Sequence, residues 1–144
     1  MDKLNHADSF KDLVVYKKAQ NIANQIFEIT KTFPREEKYS LTDQIRRSSR
    51  SVGAQIAEAW AKRRYIKHFI SKLTDADGEQ LETQHWIDTS GTCGYLRKEQ
   101  TEYFNEELCR IGKMLNSMMT KADLFCKNNY MICKDGAEYF GDNR

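Results

Sequence analysis

Through most of this chain the apolar residues recur at steps of three and four, a spacing that fits amphipathic helices and little else. The first run is Phe10, Leu13, Val14, Ile22, Ile26, Ile29 and Phe33, interrupted only around Ala19. Ser9 is placed to cap its start. Phe33-Pro34 ends it near Thr32, because the residue before a proline is pushed out of the α region. A second run, Leu41, Ile45, Ser48, Val52, Ile56 and Ala59, begins at Ser40, where Ser40 and Asp43 have capping-box spacing. This stripe is narrow, and Ser48, Ser49, Ser51, Gly53, Ala54, Ala57 and Ala59 invite close approach by a neighbouring backbone. Gly53 costs about 1 kcal/mol of helix propensity against alanine, and close packing is the expected compensation. The third run holds Ile66, Phe69, Ile70, Leu73, Ala76, Leu81, Gln84 and Ile87, and breaks at Thr89-Ser90-Gly91-Thr92-Cys93-Gly94. The fourth starts near Lys98 and carries Tyr103, Phe104, Leu108, Ile111, Leu115, Met118, Ala122 and Phe125 to about Cys126.

Short connections make sequential helices antiparallel, so the expected fold is all-α, an up-down antiparallel four-helix bundle. One proline and seven glycines are too few for the turns of a sandwich or barrel. A chain of 144 residues, 40% hydrophobic and 31% charged, suits one globular domain that needs no staples. The bundle is expected over residues 10–127, after an N-terminal arm over 1–9. From Asn128 the helical period is lost, and residues 128–144 read as an irregular or partner-docked tail. The first residues lack the basic start and apolar stretch of a signal peptide, and no run is long enough to span a membrane. A cytoplasmic protein is the expectation. Cys93, Cys109, Cys126 and Cys133 form no C-x-x-C pair, which argues against zinc, and a reducing compartment argues against disulfides; they read as small apolar or incidental residues.

The formal net charge of +2 conceals an asymmetry. Residues 35–68 hold nine Lys or Arg against four acidic residues, a net of +5; residues 69–109 hold three against nine, a net of −6. Arg46, Arg47 and Arg50 lie within about one turn of the second helix, while Lys62, Arg63, Arg64 and Lys67 cluster at its far end. The guanidinium fork suits phosphate oxygens, so these seven residues are the candidate nucleic-acid contacts. Two other readings stand beside that one. The bases are a solvated face paired with Glu58 and the acidic third helix, or they join with that acidic region to assemble subunits head to tail.

No catalytic, metal or cofactor site is expected. Asp75, Asp77, Glu79 and Glu82 form an acidic cluster, but the Glu-x-x-His pairs of di-iron bundles are missing, as are the remaining ligands of a calcium loop. His6, His68 and His85 have no nearby cysteine, and no glycine-rich phosphate cradle occurs. Trp60, Trp86 and Tyr65 are placed to stack on bases beside the arginines, although aromatics at helical spacing more often pack in a core or interface.

Three segments carry a family resemblance. Phe10-Lys-Asp-Leu-Val-Val-Tyr-Lys-Lys-Ala19 is similar to an opening F-x-D-L-x-V-W-x-x-A. Phe33-Pro-Arg-Glu-Glu-Lys-Tyr-Ser-Leu-Thr-Asp-Gln-Ile-Arg-Arg47 is similar to F-P-x-x-E-x-Y-x-L-x-x-Q-[LI]-R-R, and Ser51-Val-Gly-Ala-Gln-Ile-Ala-Glu58 to S-I-x-x-N-I-A-E-G. Together with Gly94-Tyr-Leu before the fourth helix, they resemble the four-helix-bundle family of proteins encoded in 23S rRNA intervening sequences. Gln55 stands where that pattern has asparagine, Ala59 where it has glycine, and Asp77-Gly78-Glu79 where a Gly-Ser pair precedes the acidic residues. The resemblance implies a non-enzymatic homo-oligomer, typically a pentamer, whose basic surface meets RNA or DNA. It also implies kinship with accessory proteins of diversity-generating retroelements, whose partners are a reverse transcriptase and its template RNA. Arg46 and Arg47 match the motif directly; Lys62, Arg63 and Arg64 rest on charge alone.

Overall fold

The computed structural model describes residues 7–126, and among them every regular element is helical. Four long helices, α1 (Val14–Thr30), α2 (Asp43–Ala61), α3 (Ile66–Thr92) and α4 (Lys98–Thr120), run alternately up and down; residues 122–126 are again helical after a break at Lys121. The up-down bundle expected from periodicity is the observed fold. The tail expected from Asn128 onward lies outside the described residues.

Two helix starts differ from expectation. Ser9 caps a single 3-10 turn, Phe10–Asp12: its hydroxyl accepts the Lys11 N–H at 3.1 Å, and the Asp12 carboxylate accepts the Ser9 N–H at 3.2 Å. Leu13 then turns extended (ψ 131°), so α1 begins only at Val14. Ser40 caps nothing. The chain is already helical through a 3-10 turn at Arg35–Glu37 and a π-type turn at Lys38–Thr42, which runs straight into α2, and the Ser40 hydroxyl donates to Glu37 Oε1 at 2.6 Å.

α3 also runs longer than its glycine and threonine residues suggested, passing through Gly91 to Thr92. The reversal comes at Gly94, whose φ of +79° is the left-handed conformation that glycine adopts without penalty. Next to it, Tyr95 donates its hydroxyl to Glu37 Oε2 at 2.7 Å, tying the α3–α4 connection to the α1–α2 connection at that end of the bundle.

The core draws Ile22 and Ile26 from α1, Ile45, Val52 and Ile56 from α2, Phe69, Leu73 and Ile87 from α3, and Leu108, Ile111 and Leu115 from α4. The α2–α3 interface is the most extensive, whereas α1 and α4 meet more sparsely. Gly53 is buried, and a Cβ there would sit 3.4 Å from the Tyr16 ring, which is the close packing its presence implied. The buried face of α3 is Phe69, Leu73, Ala76, Gln80, Thr83, Ile87 and Ser90. These alternate in steps of four and three, the seam of a left-handed bundle. Leu81, counted by hydropathy as core, is therefore 54% exposed, and polar Gln80 and Thr83 take the inward positions, with the Thr83 hydroxyl donating to Ser48 Oγ at 2.9 Å. Val14, Ile66 and Tyr103 likewise lie outside the core their hydropathy assigned them to.

Candidate nucleic-acid interface

The seven basic residues singled out in the sequence do not form one patch. Residues on a helix advance by about 100° each, so Arg46 and Arg50 share a face and Arg47 lies to one side of it. Arg47 points to α3, where Nη2 donates to Glu82 Oε2 at 2.5 Å and Nη1 lies 3.7 Å from Glu79 Oε1. Burial pushes the Glu79 carboxyl up, against the pull of Arg47. Glu82 is held below the usual carboxylate range, first by the Trp86 indole N–H and then by Arg47. The positive charge of Arg47 is thus answered within the chain, as is that of Lys72, whose ammonium is 3.0 Å from Glu58.

Arg46 and Arg50 turn the other way, toward the last turns of α1. Arg46 Nε donates to Thr30 Oγ1 at 2.8 Å and Nη2 to the Phe27 carbonyl at 3.3 Å. Its guanidinium carbon is 4.6 Å from the centre of the Phe27 ring, that of Arg50 is 5.1 Å away, and Lys31 Nζ is 4.9 Å away. Three cations therefore surround one half-buried ring. The ring face attracts each of them, but cations this close to one another repel. Glu28, paired with Lys31 at 3.0 Å, is the acid at this cluster, and among the described residues no carboxylate lies within ion-pair distance of Arg46 or Arg50. Lys31 and Phe27 were not legible as site residues: Lys31 is distant in sequence from Arg46, and Phe27 lies off the apolar stripe. An aromatic residue displaced from its helix's apolar stripe was the available signal.

The third group sits at the other end of the bundle, on the turn from α2 to α3. Lys62 and Lys67 are exposed there; Arg63 and Arg64 are half-buried. Arg63 lies against Trp60, its guanidinium carbon 3.5 Å from the ring centre, and donates Nε to the Trp60 carbonyl at 2.8 Å. Arg64 approaches Tyr65 at 5.9 Å, and Tyr65 meets His68 at 5.4 Å between ring centres. Of the three aromatics weighed as stacking candidates, Trp60 and Trp86 are half-buried against the core, whereas Tyr65, which also meets Arg64 and His68, is 42% exposed.

The acidic cluster is used by neighbouring side chains. Asp77 accepts from Gln80, Glu79 and Glu82 face Arg47, and Asp75 lies 3.8 Å from Lys72. Among the described residues no group of His, Cys, Asp or Glu is arranged to hold a metal ion, and no helix is long and apolar enough to cross a membrane. Cys93 and Cys109 are exposed free thiols; Cys126 is half-buried, and burial pushes its thiol up to about 11. A further ionic cluster escaped sequence reading altogether. Lys18 of α1 donates to Glu107 of α4 at 2.7 Å, and Arg110 donates to its other oxygen, so that the mostly buried Glu107 carboxyl is held below its ordinary range by Lys18 first.

This arrangement can be set beside known proteins. A solved structure of a protein of unknown function from the S23 ribosomal protein family of Bacteroides thetaiotaomicron is similar, with a TM-score of 0.67 and 34% identity over 74% of this chain and 98% of that one. No curated protein matches the chain. The family described as 23S rRNA-intervening sequence protein matches residues 11–117, which reach from the 3-10 turn before α1 nearly to the end of α4. On that match, together with the four-helix bundle, the chain belongs to the 23S rRNA-intervening sequence protein family.

Proposed function

We propose that the protein is a non-enzymatic, cytoplasmic, nucleic-acid-associated accessory protein that works as a homo-oligomer and meets RNA or DNA through its basic surface. The observation that carries this reading is the convergence of Lys31, Arg46 and Arg50 on Phe27. A cation cluster held together by one ring, with Glu28 the one acid paired to it among the described residues, is favoured when an anion is bound, and phosphate is the anion that paired guanidinium groups fit. The basic turn at Lys62–Lys67 supplies a second contact region. Arg47 leaves the set of phosphate contacts, because Glu79 and Glu82 already neutralise it. The family description, with its link to ribosomal RNA insertions, supports RNA as the first ligand to test. Assembly into a pentamer and contact with a reverse transcriptase remain part of the proposal on the strength of the resemblance. Exposed Leu81, at 54%, is available for such contacts.

Fluorescence anisotropy of labelled RNA across a salt series tests the reading. Binding should weaken steeply with salt, and the double variant R46A/R50A should flatten the log–log slope by roughly 1.4, about 0.7 for each lost contact to a single strand. Wild-type protein that binds no RNA or DNA at low salt, or binds without a salt slope, would refute the mechanism. The competing reading is a protein–protein scaffold whose charges serve subunit assembly. It would gain if Arg50→Glu dissociated the oligomer in light scattering while leaving nucleic-acid binding intact.

A further inference from the structure

We infer that Tyr65, at the turn between α2 and α3, is a stacking platform for an unpaired base, so that the basic turn selects single-stranded over duplex RNA. This inference rests on the nucleic-acid reading above and adds its substrate class. Tyr65 is 42% exposed, and it occupies an extended position (φ −127°, ψ 111°) immediately before α3, where its backbone is fixed by the Tyr65 N–H donating to the Lys62 carbonyl at 3.0 Å. His68, one turn on, meets the tyrosine ring at 5.4 Å with a 49° tilt. The Arg64 guanidinium carbon lies 5.9 Å from the ring centre, and exposed Lys62 and Lys67 are three residues before and two after the tyrosine in sequence.

An exposed aromatic face within a basic turn is the combination that single-strand binders use, the base lying on the ring and its phosphates on the nearby charges. In a duplex the bases are already stacked on one another, so only the charges would act. Tyr39 provides the internal contrast. It is 75% exposed and lies beside Lys38, but Glu36, Glu37 and Asp43 are its sequence neighbours, so a phosphate strand approaching it meets negative charge.

The test compares full-length wild type with Tyr65→Ala, Tyr65→Trp and Tyr39→Ala. The probes are a labelled oligouridine of about 12 nucleotides and a duplex RNA of the same length, both at low salt. The expected result is a loss of roughly tenfold in oligouridine affinity for Tyr65→Ala, with duplex binding unchanged. Tyr65→Trp should match or exceed wild type on the single strand, and Tyr39→Ala should behave as wild type. Unchanged oligouridine binding by Tyr65→Ala, or an equal loss on both probes, would overturn the stacking role while salt-dependent binding kept the nucleic-acid reading intact. Wild-type protein that binds neither probe would remove the nucleic-acid reading itself and this inference with it.

Discussion

Replacing Gly112 by alanine should destabilise the protein even though it removes a glycine from the interior of a helix. In an open site that exchange stabilises by up to about 1 kcal/mol, since alanine has the better helix propensity. Gly112 is not in an open site. It lies buried on α4 against α3, and a Cβ added there would sit 2.7 Å from Gln80 Nε2 and 3.1 Å from Asp77 Oδ1. The obstructing amide is only nominally free to move. Gln80 is 3% exposed, its Nε2 donates to Asp77 Oδ1 at 2.9 Å, and its Oε1 accepts from Gln84 Nε2 at 2.7 Å. Making room for the methyl breaks one or both bonds inside the bundle. Overpacking costs about 1–3 kcal/mol and an unsatisfied buried amide a comparable amount, against about 1 kcal/mol gained. The net loss should be about 1–5 kcal/mol, read as a lower urea midpoint at unchanged slope and a fall in Tm of roughly 3–15 °C. Gly78 is the control: it is exposed on α3, and nothing lies within 4 Å of the position its methyl would take, so Gly78→Ala should stabilise by up to about 1 kcal/mol. A Gly112→Ala protein as stable as wild type, or stabilised like Gly78→Ala, would refute the claim that the Gln80 amide is fixed. In the Gln80→Ala background the 2.7 Å clash is absent and only the 3.1 Å approach to Asp77 Oδ1 is left, so the Gly112→Ala penalty should shrink there.

The remaining predictions concern titratable groups. Glu107→Gln should cost roughly 1–3 kcal/mol near neutral pH, because Lys18 and Arg110 lose a charged partner at a mostly buried position. The folded carboxyl titrates below its unfolded value of about 4.3, so the stabilisation is complete above that value and disappears as pH falls through the lowered folded one. Urea melts from neutral to acidic pH should therefore show wild type and variant converging at the acid end; a constant difference across the series would contradict this. In a Cys133→Ser background, Cys93 and Cys109 should react quickly with a thiol reagent at mildly alkaline pH, while Cys126, with its thiol pushed up to about 11, reacts last. Three equal rates would show that burial does not protect it.

The bundle was legible because a helix that buries one face writes that face into the sequence at steps of three and four. Ile45, Val52 and Ile56, or Leu108, Ile111 and Leu115, can be placed without any structure, and so can the chain reversal near Gly94. The same rule failed where polarity and position disagree. Hydropathy ranks Leu81 above Gln80 and Thr83, yet the seam of α3 passes through the polar pair, because their partners on α3 and α2 satisfy them. Helix starts were misread for a related reason: Ser9 and Ser40 have the chemistry of caps, but neighbouring turns decide whether a long helix begins there.

Charge was legible only as a total. The sequence by itself determined that residues 35–68 are basic and residues 69–109 acidic, which follows from composition along the chain. Which basic residues are already neutralised depends on the rotation and neighbours of each helix. The tertiary structure alone decided that Arg47 is answered by Glu79 and Glu82, that Arg46 and Arg50 gather with Lys31 on Phe27, and that Tyr65 is the stacking candidate left facing solvent. The physical reason is range: helical periodicity is set by residues three and four apart, whereas an ion pair needs two groups within a few ångströms, and here they lie on different helices.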